Sequence, residues 1–253
     1  NAKADAFRKK IAAQTSTLLK NDNSLLPLSA AALSFMDRAK KTEHKIAYIA
    51  IGTTTANVMT QKMSDELKAD IFFFSNKSDA GRILSLVELI KNNYTHVVVG
   101  MHGYSRRPQN NFGISIPSLQ LANKLLQLPQ SVLLLFGNPY ALKNFCDVKN
   151  AIVCYEDDSY TQTAAFDVLT GKQQANGKLP VTVCENLRYG TGLEYVMPNT
   201  GNLQRELMDE TKFAVVDSIA ADAIEKKANE LQNIINKIEA KEERWFELSS
   251  KME

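Results

Sequence analysis

Five continuous apolar runs constrain this chain more than any other feature: residues 45–52 (KIAYIAIG), 70–75 (DIFFFS), 96–101 (HVVVGM), 131–137 (SVLLLFG) and 151–156 (AIVCYE). They are rich in β-branched and aromatic side chains and lack the alternation of a strand with one wet face. Such runs predict strands covered on both faces. Between them the apolar spacing becomes helical. Residues 54–68 place Val58, Met59, Met63 and Leu67 on one face, and residues 79–92 do the same with Ile83, Leu84, Val87 and Ile90. Residues 118–128 repeat the pattern with Leu121, Leu125 and Leu128. A helix near 160–171 and a glycine-containing turn then lead to a sixth predicted strand, KLPVTV at 178–183. Strand–helix alternation of this kind predicts an α/β fold, a mostly parallel six-stranded sheet sandwiched by helices.

Charge narrows the partners. Thirty Lys and Arg against 28 Asp and Glu leave a net charge of +2, without the basic excess of a sequence-independent nucleic-acid binder. No apolar stretch approaches the roughly 20 residues that span a bilayer, and the first ten residues lack a signal peptide's apolar core. The chain therefore reads as soluble, already processed or excised, with no nucleic acid and no membrane span expected. Cys146, Cys154 and Cys184 are an odd number without C-x-x-C spacing. They read as small apolar packers rather than a disulfide framework or a zinc site. His44, His96 and His102 lack helical ligand spacing and no HExxH is present, so neither a metal nor a cofactor is expected.

From Glu206 the character changes. Residues 213–253 contain no Gly or Pro, and Ile224, Leu231, Ile238, Trp245 and Met252 recur every seven residues. This predicts a long C-terminal helix that packs on the domain or pairs with another helix as a coiled coil. The organisation reads as a helical lead-in at 1–28, an α/β sandwich at 29–200 and a helical extension at 201–253.

In open parallel sheets, ligands sit beyond the carboxyl ends of the strands. There Arg106 and Arg107 set two guanidinium forks beside the amide of Asn111, a combination suited to carboxylates or hydroxyl-rich ligands. His102, two residues beyond a buried run, is a candidate base or a loop-capping residue. Gly52-Thr53-Thr54-Thr55 opens a helix after a strand, but a plain Thr cap gives the same string and no phosphate-loop motif is present. Glu156, Asp157 and Asp158 form an acidic cluster read as a solvated turn or helix cap rather than a carboxylate pair. No nucleophile elbow occurs, and no catalytic residue is assigned.

Three strings in order carry a family resemblance. Residues 17–28 (TLLKNDNSLLPL), 132–140 (VLLLFGNPY) and 177–183 (GKLPVTV) resemble, respectively, the entry, a strand–turn and the terminal strand of the C-terminal α/β sandwich of glycoside hydrolase family 3. The resemblance spans residues 12–198 and implies a hydrolase acting on β-linked N-acetylhexosaminides or glucosides. In that family the nucleophile is an aspartate on an N-terminal barrel of about 250 residues, which residues 1–28 cannot contain. Many relatives supply a glutamate acid/base after the third strand. Here residues 101–117 hold His102, Arg106, Arg107 and Asn111 but no Glu or Asp, which implies the branch with its acid/base on a barrel loop.

The expectation is thus a non-catalytic or accessory domain. It would partner the family barrel and a carbohydrate substrate, with His102, Arg106, Arg107 and Asn111 as substrate-binding or interdomain candidates. By resemblance alone, the compartment is the bacterial periplasm or cell surface. Residues 237–249 also faintly resemble the terminal coiled coil of ABC-F ATPases. The alternative reading is a flavodoxin-like interaction module that forms a homodimer through its C-terminal helix and has no enzymatic activity.

Overall fold

The apolar runs become a sheet because a segment buried on both faces has nowhere to satisfy its amides except on neighbouring strands. The structure is a computed structural model that describes residues 2–22, 24–28 and 44–194. Its six strands are β1 (Thr17–Asn21), β2 (Ile46–Ile51), β3 (Asp70–Phe74), β4 (His96–Met101), β5 (Ser131–Leu135) and β6 (Asn150–Val153). They lie in the order β1-β6-β5-β4-β2-β3, all neighbours parallel except the antiparallel β1–β6 pair.

The helices cover both faces. α1 (Ala2–Thr15) precedes the sheet, α2 (Val58–Leu67) joins β2 to β3, α3 (Ile83–Asn93) joins β3 to β4, α4 (Ile116–Leu126) joins β4 to β5, and α5 (Ser159–Leu169) follows β6. α3 and α4 pack on one side through Ile83, Ile90, Leu121 and Leu125. α2 and α5 pack on the other through Met59, Met63, Phe166 and Leu169. Local chemistry fixes where these helices begin. Asn57 caps α2 in a reciprocal box with Thr60, Ser115 caps α4 with Pro117 in its first turn, and Asp158 caps α5.

Four sequence expectations need correction. The sixth strand is β1, not residues 178–183, which run without ladder pairing. Pro180 has no N–H to give a ladder, and Leu179 spends its own on Thr191 O at 2.8 Å. β3 is only partly covered: it forms the edge of the sheet, and of its five residues only Phe74 is buried. Leu84 is not on the buried face of its helix but 66% exposed. Cys146 and Cys184 are not free packers: they form a disulfide with Cα atoms 6.0 Å apart, and only Cys154 is the buried thiol expected. The partners lie 38 residues apart, which local spacing cannot show. The long helix expected at 213–253 and the heptad positions on it lie outside the described residues.

Candidate functional site at the carboxyl ends of the strands

The parallel strands end together, so their following loops meet. His102 leaves β4 with its N–H on Ile51 O (2.8 Å), while Phe136 after β5 reaches Met101 O (3.1 Å) and Cys154 after β6 reaches Leu135 O (2.9 Å). This staggered ladder delivers His102, Phe136 and Asp157 to one place. The His102 ring is 2% exposed and stacks on Phe136, centroids 4.5 Å apart and planes 12° from parallel. Its Nδ1 lies 3.0 Å from Asp157 Oδ1 and its Nε2 lies 2.6 Å from the Tyr48 hydroxyl. A carboxylate only accepts, so Nδ1 donates to Asp157, and in the neutral imidazole the buried Tyr48 hydroxyl donates to Nε2. The bonds run Tyr48 to His102 to Asp157. Gly100 makes room for them, because a Cβ there would collide with the Tyr48 hydroxyl.

Asp157 is the node. Its Oδ2 accepts the Gly103 N–H at 2.9 Å, and its Oδ1 also accepts from Gln162 Nε2 at 2.7 Å. Burial acts to raise its carboxyl, but the hydrogen bonds it accepts from His102, Gly103 and Gln162 outweigh it and hold the group below the usual carboxylate range. Burial, reinforced by the charge of Asp157, drives Tyr48 well above an ordinary phenol. Gln162 uses its other end to accept the Met59 N–H (3.1 Å), so the α2 N-terminus is tied to the same node. With Thr60 N–H on Asn57, two of the first-turn donors of that helix, Met59 and Thr60, are engaged by side chains of this protein.

Outward from this node stands the loop at residues 103–115. Ser105 N–H closes it on Phe112 O at 2.7 Å, and Asn138 Nδ2 ties it to β5 through Arg106 O at 2.8 Å. Asn110, Asn111, Phe112 and Gly113 have φ of 49°, 51°, 61° and 72°, a full left-handed turn. Asn and Gly enter that region cheaply; a Phe there costs roughly 1–2 kcal/mol. Phe112 is 1% exposed, and burying an aromatic ring is worth about 1.5–3 kcal/mol, enough to hold the turn. Lys143 Nζ sits 5.4 Å from its centroid.

The four candidates fare differently. His102 is enclosed and both its ring nitrogens are engaged, so it braces the loop instead of facing a ligand. Asn111 exchanges amide bonds with Asn144 (3.0 and 3.2 Å). Arg106 is exposed and pairs with Glu156 at 2.5 Å. Arg107 is exposed, and among the described residues its guanidinium makes no ion pair. Of the acidic cluster, only Asp158 is the helix cap expected. Glu156 pairs with Arg106 at the surface, and Asp157 accepts from the buried His102 and Gln162, so each of the three carboxylates has a partner within the domain. Tyr48, Asp157, Gln162 and Asn144 were missed from the sequence. The one available signal was Tyr48, a hydroxyl inside an otherwise apolar strand. Among the described residues no three His, Cys, Asp or Glu side chains come together to hold a metal, and no helix is long and apolar enough to cross a membrane.

Residues 16–214 match the family described as the glycosyl hydrolase family 3 C-terminal domain. The chain belongs to this family. Structures of family 3 enzymes share its fold. A β-N-acetylglucosaminidase from Paenibacillus sp. str. FPU-7 aligns with 16% identity and a TM-score of 0.53, over 69% of this chain and 32% of that one. A β-glucosidase from Listeria innocua in complex with isofagomine aligns with 18% identity and a TM-score of 0.52, over 71% of this chain and 27% of its own. A fungal multi-domain β-N-acetylglucosaminidase aligns with 16% identity and a TM-score of 0.53, over 70% of this chain and 19% of that one. The family 3 domain seen here thus accounts for a third or less of each neighbour. No curated protein matches the sequence.

Proposed function

We propose that this chain serves as the accessory, non-catalytic C-terminal domain of a family 3 glycoside hydrolase acting on β-linked N-acetylhexosaminides or glucosides. The nucleophile and the acid/base are supplied by the N-terminal barrel. The carrying observation is that, among the described residues, the loop after β4 (residues 101–117) contains no carboxylate, while after β6 Asp157 is bonded to His102, Asp158 caps a helix and Glu156 pairs with Arg106. Glycoside hydrolysis needs two carboxyl groups at a defined separation across the sugar. What the surface offers is a braced loop carrying Arg107, suited to walling one side of a sugar cleft or meeting the barrel. The Cys146–Cys184 disulfide supports an oxidising location such as the bacterial periplasm or cell surface.

The test is hydrolysis of p-nitrophenyl β-N-acetylglucosaminide and β-glucoside by this chain alone and mixed with the barrel of its parent protein. Silence alone and turnover on mixing is the expected pattern. Robust turnover by the chain alone would overturn the proposal.

A further inference from the structure

We propose that the β3 edge of the sheet is a self-association surface whose occupant is β3 of a second copy of this chain, paired antiparallel about a two-fold axis at Phe72. β3 has β2 as its only strand neighbour among the described residues, and its sequence, DIFFF, carries none of the Lys, Pro or bulge devices that normally protect an edge. Phe73 is 40% exposed on it. Beside the strand, Phe72, Phe73, Arg82, Leu86 and Leu89 line a groove of about 370 Å³. Leu89 is 46% exposed, so the apolar surface continues from the edge onto α3.

The second copy is specified by register and charge. Gly52 N–H donates to Phe74 O (2.8 Å), so residues 70, 72 and 74 turn their amides to β2, and Ile71 and Phe73 turn theirs to the open side. An antiparallel copy centred on Phe72 sets Ile71 opposite Phe73 of the second copy and Phe73 opposite its Ile71. Every outward N–H and C=O of the two residues is then satisfied, twice over by symmetry. Asp70 stands at the start of the strand, and among the described residues its side chain accepts from the Tyr94 hydroxyl at 2.8 Å and makes no ion pair. Arg82 stands beside the strand's far end, on the same side of the sheet, without an ion pair among the described residues. Antiparallel pairing brings the start of one strand to the end of the other. Each Asp70 thereby faces Arg82 of the second copy, giving two equivalent charge pairs that flank the apolar centre. This reading does not depend on the sugar-cleft proposal.

Sedimentation equilibrium of the full chain over about a hundredfold range of concentration is expected to take the mass from 28.2 kDa to twice that value. Amide exchange at Ile71 and Phe73 should slow over the same range. Phe73→Pro removes an outward N–H without touching the β2 ladder, and Arg82→Glu sets like charges across the axis. Each should raise the dimer Kd at least about tenfold, and Asp70→Arg with Arg82→Glu should restore it. Arg82 is exposed, so its variant tests the surface even if Phe73→Pro fails to fold. A chain that stays at 28.2 kDa throughout would overturn the proposal, as would a dimer indifferent to Arg82→Glu or a charge swap that restores nothing.

Discussion

Asp157 accepts hydrogen bonds from three donors, His102 Nδ1, Gly103 N and Gln162 Nε2, and because His102 and Gln162 are buried while Gly103 reaches solvent, removing it would strand two buried donors. Stranding buried donors costs more than the bonds themselves contribute, about 1–3 kcal/mol in all. Asp157→Ala is therefore expected to lower unfolding stability at pH 7 by roughly that amount. The pH dependence follows from the sign of the shift. The folded carboxyl lies below its unfolded value of about 3.9, so its contribution is complete above that pH and is lost as pH falls through the folded value. Urea denaturation at pH 7, 5 and 3 should show a constant gap between wild type and Asp157→Ala at the first two and a closing gap at the third. A gap undiminished in acid would mean that Asp157 is not held as the paired carboxylate described. The same residue sets the geometry of the loop beyond it, because Gly103 and His102 are where that loop leaves the sheet.

At the scale of elements, the disulfide ties the turn after β5 to the segment after α5. Cys146 lies just beyond Phe145, and Cys184 lies in a run that has no ladder of its own. Cross-linking partners 38 residues apart restricts the unfolded chain, an effect of typically 2–4 kcal/mol. Reduction, or paired Cys146→Ala and Cys184→Ala, should lower the denaturation midpoint to that extent with the slope nearly unchanged, while Cys154→Ala should not reproduce the pattern. An identical midpoint with and without reductant would exclude a stabilising role. This bridge also marks how much of the fold the sequence carried. β2, β4, β5 and β6 were legible because a run buried on both faces leaves an uninterrupted apolar string. Place in the sheet was less legible: DIFFF reads like an interior strand, yet it forms an edge. TLLKN, with a polar residue at each end, lacked the continuous signal and nevertheless pairs with β6. The site divides in the same way. Its loops follow from the rule that strands of an open sheet present ligands at their carboxyl ends. The Tyr48–His102–Asp157 chain, by contrast, joins residues 54 and 55 positions apart, and no local spacing reports such a contact.

For the whole molecule, the open question is what the braced loop holds out to a partner. Arg107 is exposed, outside the buried node, and without an ion pair among the described residues. An exposed side chain of that kind is nearly free to change in the isolated domain, within about 0.5 kcal/mol. On the function proposed above, its effect should therefore appear only when the chain is joined to a family 3 barrel and a sugar occupies the cleft. A guanidinium bonded to substrate in both ground and transition states gives uniform binding, which shows in KM and not in kcat. Losing a charge-assisted bond of about 1.5–3 kcal/mol corresponds to roughly ten- to a hundredfold. In the joined enzyme, Arg107→Ala is thus expected to raise KM by that factor for p-nitrophenyl β-N-acetylglucosaminide or β-glucoside, whichever is turned over. kcat and the thermal unfolding of the isolated chain should hold. Arg107→Lys should recover only part of the loss, because an ammonium keeps the charge but not the fork. A fall in kcat with KM unchanged would instead place Arg107 in transition-state stabilisation. If neither constant moved, the loop would serve the barrel interface alone, and the interdomain affinity of Arg107→Ala becomes the quantity to measure.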